Sequence, residues 1–458
     1  MTARHGLVGA IMSVTLVLLT TVNTVGSPST LSISPLTAIA PGLGGTVELA
    51  WHDHATRASF YAVGRPWVFY GVQGAHGLNL SYSTFDGKHW TQHDTTISTQ
   101  GNDYGQPINA ETNGTYVFVT TGEGRDQGCS SFLCLVLHYG RLNADGTISW
   151  RSGPSGPTAV PEITRLCGAC PVFSSIKIST ENTLFVSYSN LSATYVSWTR
   201  DYNSWNTLKL DSLSEETALA RLSSGKMYVA FGGGNNRGGG SNTTIYGRLW
   251  DGEGWGDTEV ITRSHVAWRG NFGAYPTPLF LFVHESTISI FYQGCSACRE
   301  DDYSIEEAAR DASMTAWTSP STAFNNTLPS DLLPYGQCTG NPLDVDLWTI
   351  TEDKSSSSSF FLTTYLSPGV SPPSEQCSPP GSRITVYSST GTRFQHETGL
   401  AISSLPSARS GVDFGAIISD PATTVIAGRS SFNVYVKDSP CIRACPQVQA
   451  STITFTSQ

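Results

Sequence analysis

The sequence predicts an all-β fold, a β-propeller of seven four-stranded blades with six as the alternative count, and two recurring turns carry the prediction. A short turn followed by an aromatic recurs six times: Asp86-Gly87 before Trp90, Asp145-Gly146 before Trp150, Asp201 before Trp205, Asp251-Gly252 before Trp255, Asp311 before Trp317 and Gly391 before Phe394. Upstream, pairs of β-prone runs flank a second small polar turn, as at Asn113-Gly114 and Ser224-Gly225.

The first turn reads as a hairpin because Asp-Gly tolerates the positive φ that tight turns demand. The runs before it, such as Leu78–Tyr82, Leu135–Tyr139 and Thr244–Leu249, are β-prone and alternating. Successive copies lie roughly 50 to 75 residues apart, which brackets the length of a propeller blade plus loop insertions. The second turn adds another strand pair, in Gln106–Thr121, Val172–Tyr188, Thr217–Phe231 and Pro278–Tyr292. Four strands per unit make a blade, and the aromatic after each Asp turn is then expected to pack between neighbouring blades. Units begin near Arg57, Gln106, Val172, Thr217, Pro278, Leu343 and Val412.

Residues 1–26 read as a secretory signal: Arg4 and His5, an apolar run from Leu7 to Leu19, then small and polar residues. An uncleaved signal anchor is the competing reading, since Leu7–Val25 carries no charge. Residues 27–45, rich in Ser, Pro and Gly, read as a flexible leader, and 46–458 as a single propeller domain. Within it, Thr46–Trp51 alternates as a strand and is expected to complete the last blade, closing the ring. Ser304–Ala312 is the one helix-like stretch. The glycine-rich Gly232–Gly240 reads as a hairpin loop, because it lacks the Gly-Lys-Ser/Thr ending of a phosphate cradle.

Acidic residues outnumber basic ones, 36 to 26, and only 14% of residues are charged. That balance gives no electrostatic footprint for nucleic acid or an anionic membrane. Ten cysteines in an exported chain read as disulfides. Proximity pairs Cys129 with Cys134, Cys167 with Cys170, Cys295 with Cys298 and Cys441 with Cys445, which leaves the distant Cys338 and Cys377 for each other. Zinc held by the two Cys-x-x-Cys pairs is the rival reading, set against an oxidising compartment and more than about a hundred intervening residues. Sequons at Asn79, Asn113, Asn190, Asn242 and Asn325 offer glycosylation sites.

Thr84-Phe85-Asp86-Gly87-Lys88-His89-Trp90 resembles the hairpin of the sialidase-like, Asp-box propellers, although it lacks the residue that separates Asp from Gly in their consensus. The resemblance implies a propeller and points toward sugar chemistry. It also implies an arginine clamp for a substrate carboxylate, for which Arg57, Arg221 and Arg409 lie near expected inner strands, while the family's early Arg-Ile-Pro motif is missing. Glu111, Asp344, Asp346 and Asp413 are the acidic candidates on inner strands, to serve as acid and base or to hold a structural calcium at the axis. Solvated channel lining is the bland alternative. His52-Asp53-His54 puts two imidazoles on one strand face without a third metal ligand. Gly-x-Ser-x-Gly, His-Glu-x-x-His and P-loop motifs are absent.

The sequence therefore leads to a secreted or extracellular surface propeller, a binding or adhesion module for carbohydrate or a glycosylated partner. No cofactor is expected beyond the axial calcium. A sialidase-like glycoside hydrolase or lyase is the alternative, and a structural subunit of a surface layer or filament a second one.

Overall fold

The computed structural model describes residues 30–33, 37–40, 47–48, 59–74, 77–98, 108–124, 133–151, 158–159, 173–189, 193–211, 214–233, 244–263, 279–284, 286–295, 303–311, 316–325, 348–352, 360–366, 382–390, 393–402, 412–419, 429–437 and 448–456. Among them are two N-terminal strands, β1 (Thr30–Ile33) and β2 (Thr37–Ala40), followed by blades in chain order. Blade 1 holds β3 (Val47–Glu48), β4 (Ser59–Ala62), β5 (Arg65–Gly74), β6 (Gly77–Phe85) and β7 (Trp90–Ser98). Blade 2 holds β8 (Asn109–Thr112), β9 (Tyr116–Gly124), β10 (Leu133–Leu142), β11 (Ile148–Trp150) and β12 (Thr158–Ala159). Blade 3 is β13 (Phe173–Ile178), β14 (Leu184–Ser189), β15 (Thr194–Thr199) and β16 (Asn206–Asp211). Blade 4 is β17 (Ser214–Arg221), β18 (Met227–Gly233), β19 (Thr244–Trp250) and β20 (Glu259–Thr262). Blade 5 is β21 (Phe280–His284), β22 (Thr287–Cys295), β23 (Tyr303–Asp311) and β24 (Ser321–Asn325). Blade 6 is β25 (Trp348–Glu352), β26 (Phe360–Leu366), β27 (Ser382–Thr390) and β28 (Arg393–Ile402), and blade 7 contains β29 (Val412–Ser419), β30 (Arg429–Lys437) and β31 (Val448–Thr456).

These strands form seven antiparallel sheets among the described residues, which is the expected count. Contacts between first strands run from β4 to β8, β13, β17 and β21, and from β25 through β29 back to β4, so these strands line the centre of a closed ring. The seventh blade is completed from the other end of the chain: β1 pairs with β31 from Thr30↔Thr456 to Ile33↔Ile453. Closure covers an edge that would otherwise leave a row of N–H and C=O groups unpaired. The closing segment thus differs from the expected one. Val47–Glu48, the described part of Thr46–Trp51, pairs instead with β5 in blade 1, and β1 and β2 lie inside the span expected to be a flexible leader.

Ser304–Ala312 corrects a second expectation, because β23 is a strand paired on both sides, with β22 and β24. Its Glu, Ala and Arg residues favour a helix locally, but cross-strand pairing and burial of Ile305 and Ala308 override that weak preference.

The core lies between blades rather than within them. One cluster joins Trp67, Phe69 and Tyr82 of blade 1 to Val117, Val119 and Leu142 of blade 2. The next joins Leu135 and Leu137 to Ile176, Leu184 and Tyr188 of blade 3. The same alternation continues through blades 3 and 4, 4 and 5, and 5 and 6.

Five of the six aromatics that follow the hairpin turns extend this packing in one direction, against the preceding blade, while Trp90 packs on Phe85 of its own hairpin. Trp150 meets Tyr82 edge-on at 6.4 Å, Trp255 meets Phe185 at 6.0 Å, Trp317 meets Tyr228 at 5.7 Å and Phe394 meets Phe291 at 6.0 Å, as ring centroids. Trp205 packs on the cluster shared by blades 2 and 3.

Antiparallel connectivity puts the first-to-second and third-to-fourth strand turns at one end of every blade, called here the turn face. The second-to-third connections and the crossings to the next blade leave from the other end. Cys134, near the start of β10, and Cys295, which ends β22, flank such second-to-third connections, and the other eight cysteines are outside the described residues.

Candidate functional site

Glu111 and Arg221 are the two sequence-predicted site residues whose side chains are described, and both act between blades. Glu111 on β8 pairs with Lys177 on β13 of the next blade, and its Oε1 also accepts from the Thr112 amide at 3.2 Å. Arg221, ending β17, donates to the Ile178 carbonyl of blade 3 at 3.3 Å. Both residues thus link neighbouring blades, Glu111 through an ion pair and Arg221 through one of its five N–H donors. Asp413 occupies the second position of innermost strand β29. Asp344, Asp346, Arg57 and Arg409 lie outside the described residues, as does His52-Asp53-His54. Among the described residues no group of three or more His, Cys, Asp or Glu side chains gathers to hold a metal ion, and no helix is long and apolar enough to cross a membrane.

The Asp turns are built alike. Asp86 Oδ1 accepts from the amides of Lys88 and His89, both at 2.7 Å. Asp251 Oδ1 accepts from Glu253 and Gly254, both at 2.9 Å. Asp201 Oδ1 accepts from Asn203 at 2.9 Å, Ser204 at 2.7 Å and the Thr199 hydroxyl at 3.0 Å. Donation from these amides favours the charged carboxylate and holds each of the three acids below its ordinary range. Asp145 takes the Thr147 amide and hydroxyl instead, at 2.9 and 2.7 Å.

Two of these turns, in blades 3 and 4, border a cleft of about 440 Å³ lined by Trp198, Arg200, Asp201, Ser204, Asn206, Trp250 and Glu253. Its floor is aromatic. Half-buried Trp198 on β15 and buried Trp250 at the end of β19 have ring centroids 5.1 Å apart at 56°. Trp255 lies 5.6 Å from Trp250 and 6.4 Å from Trp198, and Phe185 supports Trp250 at 5.6 Å. The rim is polar: Arg200, Asp201, Ser204, Asn206 and Glu253 are all exposed. The side chains of Arg200, Asn206 and Glu253 have no hydrogen-bond or ion-pair partner among the described residues. A rigid aromatic floor under unengaged planar polar groups suits a ligand with an apolar face and many hydroxyls.

Sequence reasoning missed this cleft. The available signal is a second aromatic at the end of the third strand, Trp198 three residues before Asp201 and Trp250 directly before Asp251. Only the ring brings the two together, across a blade boundary.

Two buried carboxylates lie within blade 5. Glu306 accepts from the Ser304 hydroxyl at 2.6 Å and the Thr322 hydroxyl at 3.0 Å, and Glu307 from the Ser289 hydroxyl at 3.1 Å. Burial raises Glu307 above its usual value. Of the sequons, Asn79 is half-buried in β6, Asn113 and Asn325 are exposed, and Asn190 and Asn242 lie outside the described residues. Asn113 is engaged on both sides of its amide: Oδ1 accepts from Thr115 and Tyr116, and Nδ2 donates to Asn182 Oδ1 of blade 3 at 3.0 Å.

No family model matches the chain and no curated protein matches it. Among solved structures it is similar to the α-L-arabinanase of Penicillium chrysogenum, at 12% identity and TM-score 0.37 over 61% of this chain and 92% of that one. It is similar to the polysaccharide lyase Uly1, at 12% identity and TM-score 0.37 over 82% of this chain and 94% of that one. The endosialidase of phage phi92 aligns at 7% identity and TM-score 0.42 over 93% of this chain and 69% of that one. These neighbours are named as carbohydrate-acting enzymes. The Asp-box resemblance has no family-model match behind it.

Proposed function

We propose that the protein binds carbohydrate through the cleft between blades 3 and 4, as a secreted or surface-displayed module whose partner is a glycan or a glycosylated surface. The observation that carries this reading is the juxtaposition of Trp198 and Trp250 beneath the exposed Arg200, Asn206 and Glu253. A pyranose presents C–H groups on its faces and hydroxyls at its edge. The first pack on indole, and the second take hydrogen bonds from guanidinium and carboxamide groups and give them to carboxylate and carboxamide oxygens. The cleft is open to solvent along its polar rim, which suits a chain ligand that enters from the side. A glycan array probed with the wild type and with Trp198→Ala tests the reading. Binding that vanishes in the variant is expected, and an array profile indifferent to Trp198 contradicts it.

A second reading is a glycoside hydrolase or lyase acting at the ring centre, and Asp413 on the innermost strand β29 is the observation that favours it. In this reading Asp413 works with Asp344 and Asp346, with Arg57 and Arg409 binding substrate, and an axial calcium belongs to the same carboxylates. Glu111, paired with Lys177, and Arg221, which donates to the Ile178 carbonyl, belong to the same proposed set. Release of reducing ends from a polysaccharide panel, abolished by Asp413→Asn, is its expected result.

A further inference from the structure

We infer that the cleft between blades 3 and 4 selects uncharged glycans and repels chains that carry uronate or sialate carboxylates. The inference rests on the carbohydrate reading of the cleft and adds the class of ligand.

The charges of the rim decide it. Arg200 contributes one positive charge, and Asp201 and Glu253 contribute two negative ones. Arg200 is adjacent in sequence to Asp201, whose turn amides and Thr199 hydroxyl stabilise the ionised carboxylate. The Asp201 charge therefore stays on the rim across the working pH range. Three donors on its Oδ1 hold the carboxylate in place as a fixed negative charge on the rim. Capturing a sugar carboxylate takes donors in excess of competing acids, commonly a paired or bidentate guanidinium arrangement. Here one guanidinium and two carboxylates line the same cleft.

The wider field has the same sign. The chain carries a formal charge of −10, so a polyanionic glycan is disfavoured on approach as well as in place. An uncharged oligosaccharide loses nothing to this field. It uses Arg200 as a donor, Glu253 as an acceptor and Asn206 as both, over the indole floor.

The test uses the full-length protein and pairs of oligosaccharides matched in linkage but differing in charge: β-1,4-mannohexaose against the β-1,4-mannuronate hexamer, cellohexaose against the β-1,4-glucuronate hexamer, and lactose against 3′-sialyllactose. Affinities are measured by titration calorimetry for the wild type, Trp198→Ala and Glu253→Gln, at 50 mM and 500 mM NaCl. The expected result is Trp198-dependent binding of at least one uncharged member, with its acidic counterpart weaker by about fivefold or more at low salt, as for like charges a few ångströms apart near a surface. Glu253→Gln and high salt should each narrow that gap. Trp198-dependent binding in which the acidic member is equal or tighter overturns this inference and leaves the carbohydrate reading standing. Failure of every member to bind in a Trp198-dependent way overturns both.

Discussion

The Tyr228 hydroxyl crosses the face of β19 to donate a 2.5 Å hydrogen bond to Glu259 Oε1 on the next strand of blade 4. Its route passes over Gly247, where an added Cβ would stand 1.9 Å from that hydroxyl oxygen and 2.4 Å from the ring carbon that bears it. Arg310 of blade 5 closes on the same carboxylate, and Trp317 Nε1 donates to the Tyr228 hydroxyl at 3.3 Å. The one missing side chain lets a buried phenol join two blades. Gly247→Ala is expected to destabilise the protein by about 1–3 kcal/mol through overpacking. Urea unfolding checks this, and a variant as stable as the wild type would show that Tyr228 does not take this path.

Val63 offers the opposite case. It occupies the hairpin between β4 and β5 at φ 52°, followed by Gly64 at φ 72°, a pair of positive values that suits Asn-Gly and strains a β-branched residue. Val63 is 38% exposed, so little packing is lost when it is replaced. Val63→Asn should raise stability by about 1 kcal/mol, the order of the left-handed penalty. Thermal and urea unfolding should agree on the sign.

The blades were legible because their signals are local. Asp86, Asp201 and Asp251 each bind amides of their own turn, within three residues, so a reader of the sequence sees the complete interaction. That Trp150, Trp205, Trp255 and Trp317 pack between blades follows once blades repeat, whereas their common direction, toward the preceding blade, comes only from the fold. The closing strand was hidden because Thr30–Ile33 is short and its partner, β31, lies at the far end of the chain. In β23, Glu306, Glu307 and Arg310 favour a helix locally, and only pairing across blade 5 decides otherwise. The Lys177 partner of Glu111 was hidden as well, because it comes from the next blade. The cleft was illegible for a similar reason, since Trp198 and Trp250 belong to different blades.

His138 predicts an acid sensitivity. It is buried against the Thr121 hydroxyl at 3.1 Å, and burial pushes its imidazole down to about 4 from an ordinary 6.5. Between those values the unfolded chain binds a proton that the folded chain refuses, so stability falls as pH drops through this window. The full loss is on the order of 3 kcal/mol, while above pH 6.5 the group contributes no pH dependence. His138→Gln should flatten the decline between pH 7 and 4. Glu307, whose value is raised by burial, works in the other direction and is common to both proteins, so the difference between the two curves isolates His138.

Ring closure gives a further expectation. Removing residues through Ala40 deletes β1 and β2 and exposes the edge of β31. The truncated protein should melt lower and self-associate through that edge, as read by calorimetry and light scattering against a chain that begins just before Thr30. Equal melting and a clean monomer would mean that the N-terminal strands do not close the ring.

The carbohydrate reading is tested most directly by titrating the strongest array glycan into the wild type, Trp198→Ala and Asn206→Ala, with circular dichroism to confirm that each is folded. Saturable binding by the wild type is expected, with affinity at least about tenfold weaker in Trp198→Ala, equivalent to about 1.4 kcal/mol, and a smaller loss in Asn206→Ala. Undiminished affinity in both folded variants would contradict it and move the search for a ligand site to Asp413 and the ring centre.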